Sequence, residues 1–459
     1  MGRNEREQKL NSDLYEYRPR AWRINKPFKD YGFRPEDAIP ALSGVIGKVA
    51  LVAAFAVAWA AGLSVSDPTF VSENVRLELF VAGIITIVFS AVLNPYAGPP
   101  GTLAPLIPLI PGMAIAGVHP LPLAILIGLM GLAITLFKQF DKVIKLNGPG
   151  TKGGILLLFG LMGISSSLES LQSWTDAAGS AQLLFVLIAA GLICYILLSR
   201  LQYKWLIIPV CAAAAVIISS AFGLFPVFET GFGFPILSPD VWWNEKWAIG
   251  WGLNIESFLN AMPFAILAVL IWPVDALAIT SLQEANYPKE AGNAFVKMNP
   301  TYAIASLRNI AGALLGGSQT AAIWRSFMIP LAVVKRPIGA SALILGVLAI
   351  ACGLMGFPID IATFAPLLWM VLIFGIFIPL IEVGFGYVRS ASLAQIALIC
   401  IVGGIAVSPI VGWMLSVGVE NFGIIKDAGS ERQVTKKDRI LTGSLLGIIT
   451  AAYLVSSFI

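Results

Sequence analysis

Apolar runs of roughly twenty residues recur from residue 40 almost to residue 459, joined by short polar connections, and a chain patterned this way has few folds open to it. A helix crossing the hydrocarbon core of a bilayer needs about 20 apolar residues. In lipid, every backbone N–H and C=O must also find its partner inside the protein. A mean hydropathy of +0.83 with 12% charged residues exceeds what a water-soluble core would require. The sequence therefore predicts an all-α polytopic membrane protein of about fourteen transmembrane segments. The first seven run near 40–63, 74–93, 101–117, 119–138, 153–167, 181–199 and 205–224, and the second seven near 257–282, 301–316, 319–333, 337–356, 361–386, 391–418 and 440–458. This divides the chain into a basic amino-terminal segment 1–38, a seven-segment repeat 39–225, a connector 226–256 and a second repeat 257–459. The connector holds Trp242, Trp243, Trp247 and Trp251, which suits an interfacial stretch at the lipid headgroups.

Charge placement orients the segments. Nine Lys/Arg fall in the first 34 residues, too polar a stretch for a cleaved leader. With Lys138, Lys142, Lys145, Lys152, Arg200, Lys204, Lys289, Lys297, Lys335, Arg336 and Arg389 they fall on one side of the predicted segments, which the positive-inside rule makes cytoplasmic. The implied location is the cytoplasmic (inner) membrane, with a cytoplasmic amino terminus. The loop 426–439 breaks the pattern: five Lys/Arg land outside by this count. Either its three acidic residues soften the signal, or residues 391–424 make two short passes. The net charge of +4 sits mostly in these loops, so no nucleic-acid partner is expected. Cys194, Cys211, Cys352 and Cys400 lie within apolar runs, without a CxxC pair or companion histidine, and His119 is the only histidine. Metal, disulfide and proton-relay readings are therefore poor. With no Ser-His-Asp or Cys-His set and no phosphate loop, the chain is not expected to be an enzyme or to carry a cofactor.

Two segments at the same place in each half are chemically odd. The third begins NPYAGPPGTLAPLIPLIPGM (94–113), with six prolines; the tenth begins GGSQTAAIWRS (316–326), small and polar where lipid favours bulk apolar side chains. Proline removes donors and disrupts interior turns. Gly/Pro-interrupted segments in corresponding positions point to an inverted-repeat transporter whose half helices aim their amino termini at a midplane site. The donors expected to hold substrate are the backbone N–H groups of Gly101–Thr102–Leu103 and Gln319–Thr320–Ala321. A cation at such depth costs about 2–3 kcal/mol even on lenient scales, so Arg325 implies a partner, an aqueous cavity or a charged substrate, with Ser326 adding a hydroxyl. Asp275 follows Pro273 in the eighth segment, and Lys48 lies in the first, its repeat mate, so a Lys48–Asp275 pair across the core is expected. Glu382 reads as a gate-side carboxylate, Arg308 as interfacial, and Glu78, Glu169 and Glu256 as solvated.

The run GALLGGSQTAAIWRSFMIPLAVVKRPIGASALI (312–344) resembles the tenth-helix region of SulP-type anion permeases, solute carrier family 26. A small-residue strand, a Ser-Arg-Ser-like element and a basic turn before proline follow one another there; here these are Arg325-Ser326 and Lys335-Arg336-Pro337. DAIPALSG (37–44) is similar to the opening of the family's first helix. The layout extends to the uracil/xanthine and benzoate permeases. The resemblance implies a seven-plus-seven inverted repeat with half helices at segments 3 and 10, a core of helices 1–4 and 8–11, and a gate of helices 5–7 and 12–14. It further implies cation-coupled symport of a small anion such as sulfate, bicarbonate or a carboxylate, driven by H+ or Na+ through Asp275, Lys48 and Glu382, in a homodimer. Two departures stand out: the sequence reaches Ile459 without the family's soluble STAS domain, and Trp324 replaces the first serine, lining the pocket if it points inward. The Q/E-N-x-G signature of nucleobase permeases is missing. The alternatives are a nucleobase or aromatic carboxylate stacked by Trp324 and Trp272, or an uncoupled anion channel.

Overall fold

A computed structural model describes residues 19–137, 146–247, 254–287, 296–425 and 434–458; the side chains of 273–275, 277, 278, 281, 285 and 452–458 lie outside that description. The regular elements of the described residues are helices. The first series comprises α1 (Ala38–Gly62), α2 (Phe70–Leu93), α3 (Ala104–Ile115), α4 (Pro120–Leu136), α5 (Pro149–Ala177), α6 (Ala181–Arg200) and α7 (Lys204–Ala221). The second comprises α8 (Ile255–Asn286), α9 (Met298–Leu314), α10 (Arg325–Val334), α11 (Ile338–Met355), α12 (Ala365–Tyr387), α13 (Ala391–Ala406) and α14 (Pro409–Phe422), followed by α15 (Lys436–Phe458). The third and tenth segments are short, as expected from their Pro/Gly interruptions. α9 packs on α4, α11 on α2 and α10 on α1, forming one body. α12 and α13 pack on α5, and α7 on α12, forming another.

The segment expected over 391–418 is two helices. Ser408 accepts from Val411 N at 3.3 Å as amino-terminal cap, with Pro409 in the first turn, so the chain reverses there. α13 begins on the face where α5 begins, with Ile396 against Gly150, and climbs beside α5 until Gly404 meets Leu158. α14 then returns: the Glu420 carboxylate accepts from Gly150 N at 2.9 Å and Thr151 N at 2.8 Å, a negative group on the positive end of α5. The hairpin enters and leaves by one face. Of the loop 426–439, residues 426–433 lie outside the described residues, but its ends project from the basic face, in line with the charge pattern. α15 packs against α8 and α14 and follows the two sets of seven.

Other basic positions converge on that face. Lys152 Nζ lies 6.0 Å from the Tyr387 ring, and Arg336 Nη2 meets Asp37 Oδ2 at 3.0 Å. Trp242, Trp243 and Trp247 turn inward instead of toward headgroups, their indoles donating to Ile236 O, Leu314 O and Gly316 O at 2.8, 3.1 and 2.8 Å. Trp251 lies outside the described residues.

Candidate functional site

The site begins with two stretches of chain that are not helical. Residues 99–103 run antiparallel to 320–324: Gly101 N donates to Ala322 O at 2.7 Å, Leu103 N to Thr320 O at 2.9 Å and Trp324 N to Pro99 O at 3.2 Å. A side chain at 101 has no room, because a Cβ there would sit 2.3 Å from Trp324 Cα. After this crossing each chain enters its short helix, so the amino ends of α3 and α10 face a common centre, where the positive end of a helix dipole lies.

Side chains of α2 and α9 hold the second stretch from behind. Gly316 takes φ +90, a turn that glycine makes without strain. Beyond it Asn74 donates to Gly316 O at 3.1 Å and accepts from Ser318 N at 3.2 Å. Glu78 accepts from Gln319 N at 3.0 Å and forms an ion pair with Arg308, whose Nη1 donates to Gln319 O at 3.3 Å. Asn309 accepts from Ala321 N at 2.6 Å and donates to Ala321 O at 3.2 Å. Glu78 and Arg308 are therefore neither solvated nor interfacial: both are buried, and they satisfy each other and a backbone that lipid could not. One signal for this clamp was available, since Asn74 and Glu78 stand four residues apart on one helix face.

This clamp changes the role of the expected donors. The N–H groups of Gly101, Leu103, Gln319 and Ala321 bind within the protein. What faces the centre is Lys48 from α1. It is 1% exposed, and its ammonium reaches Gly101 O, Thr102 Oγ1 and Gln319 Oε1 at 3.1, 3.0 and 3.0 Å. Thr102 Oγ1 in turn donates to Gln319 Oε1 at 2.7 Å. Lys48 also sits 4.9 Å from the centroid of Trp324, a cation–π distance, while the Trp324 indole donates to Gly44 O at 3.0 Å. The three ammonium hydrogens thus meet three neutral oxygens. The side chain of Asp275 lies outside the described residues, although its backbone belongs to α8, so the expected Lys48–Asp275 pair does too.

Two neighbouring spaces lie here. A pocket of ≈ 20 Å³ is lined by Lys48, Thr102, Trp324, Arg325 and Ser326. Arg325 and Ser326 also line a cavity of ≈ 360 Å³ between α8 and α10 on one side and α7 and α12 on the other. At its mouth, toward the basic face, Lys204 Nζ meets Glu382 Oε1 at 2.6 Å, both side chains nearly half exposed. Exposed pairs of this kind contribute little to stability. Trp272 lies elsewhere, stacked on Tyr302 with ring centroids 4.9 Å apart. His119 caps α4, its Nδ1 accepting from Leu121 N at 3.2 Å. Among the described residues the four cysteines are free, and no cluster of His, Cys, Asp and Glu has metal-binding spacing.

The fold is found in solved transporters. The transmembrane domain of the cyanobacterial bicarbonate transporter BicA superposes with a TM-score of 0.54 at 15% identity, over 84% of this chain and 98% of that one. SLC26A9 gives 0.52 at 14% identity, over 85% of this chain and 66% of that one. The murine SLC26A9 anion transporter in its inward-facing state gives 0.53 at 11%, over 86% and 70%. The chain thus spans about two thirds of SLC26A9 and nearly all of the BicA transmembrane domain. A search of curated proteins by sequence finds no match. Over residues 3–459 the sequence matches a family described as "Protein of unknown function (DUF3360)", and the chain belongs to that family.

Proposed function

We propose that the protein is a secondary transporter of a small anion, working by alternating access of the α1–α4/α8–α11 body against the α5–α7/α12–α14 body. Lys48 carries this reading. Its ammonium is buried at the centre of the fold with neutral hydrogen-bond acceptors. A buried charge whose described partners are neutral is costly, and an arriving anion lowers that cost. The amino ends of α3 and α10 add their dipoles, and Arg325 and Ser326, at the junction of the two spaces, add a guanidinium and a hydroxyl. A neutral solute gains nothing from this field. The anion transporters named above share the fold, which supports the same reading.

The cavity between the two bodies opens toward the basic face, which the positive-inside rule makes cytoplasmic. Rocking one body against the other would close this mouth and open a path on the opposite side. Coupling to H+ or Na+ is assigned to Asp275 in α8, since an anion beside an ionised carboxylate would be repelled unless a cation arrived with it. The protein is placed in the cytoplasmic membrane, with its amino terminus inside, as a homodimer. The test is uptake of radiolabelled sulfate, bicarbonate, benzoate and uracil into proteoliposomes under imposed proton or sodium gradients, with wild type and Arg325→Ala. Gradient-driven uptake of an anion, lost in the variant, supports the reading. Uracil uptake indifferent to Arg325→Ala contradicts it, and uptake that needs no cation gradient and survives Asp275→Asn indicates a channel.

A further inference from the structure

The two spaces at the site differ in size and in chemistry. The inner pocket, ≈ 20 Å³, is bounded by Lys48, Thr102, Trp324, Arg325 and Ser326, room for about one water-sized group. The outer cavity, ≈ 360 Å³, falls in the range that holds small organic ligands. Between Arg325 and Ser326 at its inner end and the Lys204–Glu382 pair at its mouth, its described walls are mostly apolar on both bodies: Ile279, Leu282 and Ile329 on one, Trp205, Ile208 and Val383 on the other, with Ser43 and Tyr195 among them. Arg325 and Ser326 border both spaces, which puts them side by side.

We infer that the site takes an organic monoanion, a carboxylate head on an apolar body, in preference to an inorganic oxyanion. This rests on the transport reading above. A carboxylate oxygen fits the inner pocket, where Lys48 and Arg325 supply positive charge. The body then lies in the outer cavity, where the walls displace water from apolar surface. Sulfate or bicarbonate in the same place gives up hydration to walls that are mostly apolar, with Ser43 and Tyr195 the further hydroxyls among the described lining. The smallest carboxylates fill the head pocket alone and gain nothing from the walls. The Lys204–Glu382 pair spans the gap between α12 and the start of α7 at the entrance, a polar rim around an apolar chamber.

The experiment is counterflow of radiolabelled benzoate in proteoliposomes of the full chain at pH 8, with protein-free liposomes subtracted, challenged by acetate, butyrate, hexanoate, sulfate, bicarbonate and chloride. Benzoate should exchange, and the half-inhibiting concentration should fall about 100-fold from acetate to hexanoate as methylenes enter the cavity. Sulfate and bicarbonate should compete no better than acetate. Leu282→Trp, or Val383→Trp from the opposite wall, should shrink the hexanoate-to-acetate ratio about tenfold. Competition that is flat across the carboxylates, with sulfate or bicarbonate the stronger inhibitor and itself exchanged, overturns the organic substrate and leaves anion transport standing. Exchange of no anion at all, with protein that remains monodisperse, overturns both.

Discussion

The two crossing segments meet the same problem in opposite ways. Each carries extended backbone through the middle of a bilayer, where an unpaired N–H or C=O costs several kcal/mol. Residues 94–113 reduce it at the source: Pro95, Pro99, Pro100, Pro105, Pro108 and Pro111 have no N–H to satisfy. Residues 316–324 keep their donors and receive partners from elsewhere, Asn74 and Glu78 on α2 and Arg308 and Asn309 on α9. The first solution lowers the number of donors and leaves few to be paired, those of Gly98, Gly101 and Leu103 finding Thr301, Ala322 and Thr320. The second depends on a buried charge pair, and it leaves small side chains free to lie against the first. One site therefore has a stiff wall and a clamped wall.

The largest expected effect comes from pushing the walls apart. Gly101→Val places atoms where Trp324 backbone already lies, so the pairing of the two segments fails. We expect a loss beyond about 4 kcal/mol, seen as absent monodisperse protein in detergent; a variant that purifies with an unchanged thermal midpoint would refute the crossing. Next is the clamp. Arg308→Met strands the Glu78 carboxylate, and a broken buried pair costs about 3–5 kcal/mol. The double change Glu78→Leu with Arg308→Met should recover part of that loss in thermal unfolding, and no recovery would mean that the pair is not coupled as described. Asn309→Ala removes both bonds to Ala321 and should cost about 1–3 kcal/mol. Smallest is Pro105→Ala, in the first turn of α3 where an N–H lacks a helical partner anyway; a shift within about 0.5 kcal/mol is expected. A cost equal to that of Asn309→Ala would erase the contrast between the walls.

Much of this was legible in the chain. The apolar runs and the two interrupted segments disclose themselves because hydropathy and proline act locally. Trp324 was expected to line the pocket if it pointed inward, and its ring does border the inner space. The clamp was not seen, because ion pairing between α2 and α9 depends on a fold that brings residues 78 and 308 together, and each charge alone reads as a helix-end group. Lys48 reads from the sequence as a buried charge, and its place above Gly101 and Gln319 depends on how two extended segments cross, which no periodicity encodes. The re-entrant hairpin was partly legible: Ser408–Pro409 is a helix-start pair, yet it sits inside an apolar run of ordinary spanning length.

The account turns on Lys48, and the measurement that tests it most directly is anion uptake by Lys48→Met in proteoliposomes, paired with its thermal midpoint in detergent. Replacing a buried ammonium whose described hydrogen-bond partners are all neutral with an apolar side chain of similar length should leave stability equal or raised, while uptake falls at least about 100-fold. Such a gain in stability with loss of transport is the outcome predicted for a charge kept for its ligand. Uptake at the wild-type rate with stability lowered would instead make Lys48 a structural tie between α1 and the crossing segments, and would contradict the anion site.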